Sequence, residues 1–115
     1  MGTTEEQDLA VLNRLEELGS DMTKPHKVDF FLYFKSEENA RSAVREIEDD
    51  GFSVNLRRAE AAWWKRLLGK TVWSCRAMKS FVPAKEAILK ASADFEEIAQ
   101  RFDGEYDGWG AGLEK

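Results

Sequence analysis

Three carboxylates alternate near the C-terminus, in the run RFDGEYDGWGAG from Arg101 to Gly112. On an extended strand Asp103, Glu105 and Asp107 would share one face, ~7 Å apart. That spacing suits an acid/base pair or a hard cation. The run lacks the closing Glu of an EF-hand loop, and its glycines follow a helical segment, whereas a phosphate loop precedes one. Gly104 is therefore expected to end that helix, and Gly108 and Gly110 to permit a bulge or close backbone approach. The acids read as a solvent-facing strand, with a hydrolase built on Asp103, Glu105 and Asp107 as the minor alternative.

Nucleophilic chemistry has little to work with. Cys75 stands mid-strand on the side of Trp73 and Ala77, the setting of a buried structural thiol. The single histidine, His26, lies between Lys24 and Lys27 in a polar connector and is expected to be solvated; a second histidine to complete a metal site is missing. Zinc-protease, nucleophile-elbow, paired-cysteine and phosphate-loop patterns do not occur. Neither a cofactor nor a metal is expected.

A second unusual stretch is WWKRLLGK. As a helix it would gather Trp63, Trp64, Leu67 and Leu68 on one face, flanked by Arg57, Arg58, Lys65, Arg66 and Lys70. Such a face could dock a partner or rest on an anionic membrane. Alternatively it is a long hairpin connection that folds its tryptophans back onto the domain.

These groups are positioned by a readable series of elements. Thr3 or Thr4 can cap a first helix, with Leu9, Val11, Leu12, Leu15 and Leu18 as its apolar stripe and Gly19 as its stop. From Val28 the period becomes two: Val28, Phe30, Leu32 and Phe34 point one way, Asp29, Phe31, Tyr33 and Lys35 the other. Ser36 caps a helix with Ala40, Ala43, Val44 and Ile47 at helical spacing, closed by Gly51. Strands follow at Phe52–Arg57 and Thr71–Met78. Pro83 opens a last helix whose stripe is Ile88, Leu89, Ser92, Phe95, Ile98, Ala99 and Phe102, and a short terminal strand follows.

The order is helix, then β-α-β-β-α-β, the α+β ferredoxin-like arrangement of a four-stranded antiparallel sheet with two helices on one face. The additional helix must bury its stripe, and the sheet face bearing Phe31 and Tyr33 is the expected place. At 115 residues, with 43% hydrophobic and 34% charged residues, a single domain over 1–115 is expected. The net charge of −5 argues against phosphate-driven nucleic-acid binding. One cysteine, no signal-peptide pattern and no apolar run near ~18 residues predict a cytoplasmic protein without membrane association.

The same topology serves RNA-binding modules, which stack bases on aromatic residues of an exposed sheet face. Here Phe31, Tyr33 and Arg76 could do so. The third strand, TVWSCRAMK, lacks the matching aromatic signature. Single-stranded RNA binding is thus the runner-up.

The ending RFDGEYDGWG resembles that of the RraB family, regulators of ribonuclease activity that inhibit ribonuclease E in bacteria. Other features are similar to the family too: a leading helix followed by GSD (Gly19, Ser20, Asp21), the aromatic strand VDFFLYF, a helix closing in GF (Gly51, Phe52), and a late helix running into the motif. The likeness spans about Asp8 to Gly110. The resemblance implies a non-enzymatic role in RNA degradation, through protein–protein contact with ribonuclease E and mainly its non-catalytic scaffold in the degradosome. The best-known members also carry a long acidic C-terminal tail, which this sequence does not include.

Glu105, Tyr106, Asp107 and Trp109, with Trp63 and Trp64, are the expected partner contacts. On a regular strand Glu105, Asp107 and Trp109 share a face and Tyr106 opposes them; a bulge at Gly108 would break that arrangement. Two readings of Trp109 stand: an interface anchor, or a core residue sealing the sheet edge.

Overall fold

A computed structural model describes residues 4–60 and 71–115. In chain order the elements are α1 (Thr4–Glu17), β1 (His26–Phe34), α2 (Glu37–Asp49), β2 (Ser53–Glu60), β3 (Thr71–Phe81), α3 (Lys85–Arg101) and β4 (Gly104–Ala111). The four strands form one antiparallel sheet ordered β2-β3-β1-β4, the split βαβ connectivity expected from the sequence. WWKRLLGK, with Trp63 and Trp64, lies outside the described residues.

Period-two patterning decides which face is buried. Val28, Phe30, Leu32 and Phe34 are sealed beneath α2 and α3, together with Cys75 and Ala77 from β3. Phe30 stacks on Phe95 of α3 at 4.7 Å and meets Phe52 edge-on at 5.8 Å, which ties the sheet to the helix layer. Ser36 caps α2 by accepting from the Asn39 amide at 3.1 Å, and Gly51 leaves that helix at φ 93°.

The first helix does not lie over Phe31 and Tyr33. It packs beside α3 and against β4, on the same side of the sheet as the other helices, where Leu15 enters the core and Val11 and Leu12 lean on it. Leu18 falls past the helix end and stays 43% exposed. This placement follows from polarity as well as apolar area: α1 carries Asp8, whose carboxyl finds a donor on β4.

His26 is likewise not solvated. It is the first residue of β1, shares the inward parity of Val28 and Phe30, and is fully buried. Its Nδ1–H donates to the Lys24 carbonyl at 2.8 Å, and Nε2 lies 2.7 Å from the Ser20 hydroxyl. Ser20 Oγ accepts from the Glu114 amide at 2.9 Å, and the Asp21 amide donates to the Glu114 carbonyl. A connector that looks polar in sequence is thus the seam joining the entry of β1 to residues after β4.

Candidate site at the terminal strand

The turn into β4 removes one of the three alternating acids from the strand. Asp103, at φ 55°, takes the left-handed position that ends α3, a role expected of Gly104. Gly104 instead begins β4 opposite Phe34. A Cβ there would stand 2.4 Å from Phe34 Cδ1 and 2.6 Å from the Tyr33 carbonyl, so only glycine lets the strand approach. Asp103 turns outward to Lys35, 3.7 Å away.

A bulge then resets the alternation. Tyr106 pairs with Leu32 but Trp109 pairs with Phe30, so Asp107 and Gly108 together oppose Phe31. Gly108 supplies the required φ of 102°. The consequence corrects the shared face expected for Glu105, Asp107 and Trp109. Tyr106 and Trp109 both point into the helix layer, whereas Glu105 sits opposite Tyr33 on the outer face and Asp107 is exposed close to it. Asp103, Glu105 and Asp107 do not converge.

The inward pair meets a polar cluster. Trp109 is only 8% exposed, and its Nε1–H donates to Asp8 Oδ1 at 2.9 Å. The Tyr106 and Ser92 hydroxyls are hydrogen-bonded at 2.9 Å, and the Tyr106 ring stacks on Phe95 with centroids 6.0 Å apart. Burial drives the Tyr106 phenol well above its ordinary value. Asp8 is 2% exposed, and its second oxygen, Oδ2, is sealed from solvent without a hydrogen bond. Burial therefore raises the Asp8 pKa; Ser92 and Trp109 oppose the shift, and Glu5 and Glu96 add to it. A cleft of about 180 Å³ between α1 and the bulge adjoins this cluster. The arrangement holds α1 on the sheet edge and settles Trp109 as a core residue.

Asp8 and its role were missed by sequence reading, although a signal existed. Ser92 is a hydroxyl in the middle of an apolar stripe, and buried Tyr and Trp require partners. Cys75 is fully buried, with its thiol pushed up to about 12 by burial, as its strand position suggested.

On the outer face Phe31 and Tyr33 are half-buried, and no described helix lies over them. Arg76 pairs with Asp29 at 3.0 Å, and Tyr33 packs with Val72 and Ala59. Between α2 and α3 a groove of about 400 Å³ has Phe52, Phe81 and Phe95 in its walls and Lys79 and Lys90 at its mouth. Lys90 pairs with Asp94 at 2.9 Å, and Lys79 reaches the Asp50 carbonyl at 3.2 Å while lying over the Phe52 ring.

The model of the family described as regulator of ribonuclease activity B, RraB, matches residues 5–111. The chain belongs to the RraB family. The match runs from the first turn of α1 to the end of β4, so the motif's tyrosine and tryptophan sit in the matched region, Tyr106 pinned to α3 through Ser92 and Trp109 to α1 through Asp8. No curated protein sequence matches the chain. RraB proteins are regulators of ribonuclease activity rather than an enzyme family, and regulation of that kind points to a protein partner. Among the described residues no helix is long and apolar enough to cross a membrane.

Proposed function

We propose that this protein is a non-enzymatic, stoichiometric regulator that binds ribonuclease E and lowers RNA cleavage by occupying a surface of its non-catalytic scaffold region. It works in the bacterial cytoplasm as one domain over residues 1–115. Membership of the RraB family carries this reading. The placement of reactive side chains supports it, since Cys75 and His26 are sealed in the core and Tyr106 is committed to Ser92.

Glu105 and Asp107 are the proposed outward contacts on β4, with Trp63 and Trp64 contributing from the segment between β2 and β3. Tyr106 and Trp109 act from beneath by fixing the bulge that presents Asp107. With a net charge of −5 the protein suits a basic, RNA-binding segment of its target, where opposite charge speeds encounter. Titration calorimetry against full-length ribonuclease E and against its isolated catalytic region tests this. Saturable one-to-one heat with the full-length enzyme alone is expected; heat with neither refutes the target.

A second reading, single-stranded RNA on Phe31 and Tyr33, draws on the placement of α1 away from that face. Against it, Arg76 is already engaged by Asp29. Oligonucleotide binding with a clear salt slope, lost in Tyr33→Ala, would favour it.

A further inference from the structure

The two edges of the sheet differ in how they are finished. β4 carries a bulge, three glycines and a flanking helix, all devices that discourage strand addition. β2 has neither a bulge nor a glycine, although α2 packs against it as α1 and α3 pack against β4. Its eight residues pair with β3 in unbroken register from Ser53 to Glu60, and among the described residues no strand lies on its other side. A row of backbone donors and acceptors is therefore presented by a regular, proline-free edge.

The side chains along this edge are selective. Val54 and Leu56 are half-buried on one face, leaving apolar surface that another strand would cover. Arg57 and Arg58 are both exposed, and among the described residues neither pairs with a carboxylate. Being consecutive, they project to opposite faces of the sheet and would flank an added strand above and below. A second copy of β2 would bring four arginines into one short seam, which like-charge repulsion disfavours.

We propose that the β2 edge accepts an extended acidic protein segment as a fifth strand, with two consecutive carboxylates meeting Arg57 and Arg58. Backbone pairing would supply the affinity and the two arginines the charge preference. This site is separate from the acidic outer surface of β4 and does not depend on ribonuclease E being the target.

The test uses the full chain, isotope-labelled for NMR, and a synthetic peptide Thr-Val-Thr-Glu-Glu-Val-Thr-Val alongside its Lys-Lys counterpart. Saturable shifts confined to β2 and β3 with the acidic peptide, slowed exchange of outward β2 amides, and affinity at least about tenfold lower for the basic peptide are expected. Arg57→Glu with Arg58→Glu should weaken acidic-peptide binding by about tenfold or more; Arg57→Gln with Arg58→Gln serves if the reversal impairs folding. Equal affinity for both peptides, no shifts at millimolar peptide, or shifts elsewhere would overturn the proposal. So would displacement of the peptide by oligouridylate, or a dimer in sedimentation that buries β2. Loss of ribonuclease E binding with peptide binding intact would remove the target and leave this site standing.

Discussion

Replacing Trp109 by Phe isolates the polar half of the α1 attachment. The ring remains, but the Nε1–H that reaches Asp8 Oδ1 at 2.9 Å is lost. Because Asp8 Oδ2 already lacks a hydrogen bond, losing the bond to Oδ1 would leave both carboxyl oxygens without one while the group stays buried. Leaving a buried acceptor unsatisfied costs about 1–3 kcal/mol, and the smaller ring removes roughly a further 1 kcal/mol of buried apolar area. The sum, about 2–4 kcal/mol, corresponds to a fall in Tm of roughly 8–16 °C at ~4 °C per kcal/mol for a domain of this size. Urea unfolding should show a lower midpoint, and amide exchange should quicken across Thr4–Glu17 before it quickens in β1. A midpoint within about 0.3 kcal/mol of the parent would refute the buried placement of Trp109.

Asp8 has a folded-state pKa above its unfolded value, so its contribution to stability is full below the ordinary carboxylate range and declines as pH rises through the folded value; Asp8→Asn should flatten that decline, measured by urea midpoints across pH. Gly104→Ala forces a Cβ onto Phe34 and the Tyr33 carbonyl and should cost about 3 kcal/mol or more, whereas Gly108→Ala meets no atom and should cost about 1 kcal/mol from its positive φ alone. Equal losses at the two glycines would contradict the bulge geometry. Cys75, fully buried with its thiol pushed up to about 12, should resist alkylation at pH 8 until the protein is unfolded, as mass spectrometry would report.

Much of this structure is legible in residue patterning, and its failures have physical causes. The alternation in VDFFLYF and the stripe from Ile88 to Phe102 assign β1 and α3 because one face of each is apolar. The shared face of Glu105, Asp107 and Trp109 holds only for an unbroken ladder, and the bulge that Gly108 permits, at Asp107 and Gly108, inverts every residue beyond it; glycine in the sequence marks where a bulge can form, not that it does. His26 was misjudged because its charged neighbours outweighed its parity with Val28, though strand register, which propensity does not encode, is what buries it. The position of α1 rests on contacts with α3 and β4, including a hydrogen bond between residues 101 positions apart, and no local window contains such pairings.

If this RraB protein acts on a ribonuclease by occupying it, added protein should slow RNA cleavage stoichiometrically. The most direct measurement titrates the purified protein into full-length ribonuclease E at fixed RNA and follows the initial cleavage rate. The expected rate falls in proportion to added protein and levels off near one equivalent, with the isolated catalytic region unaffected. A rate that does not change, or one that keeps changing well beyond one equivalent, would contradict that mode of action.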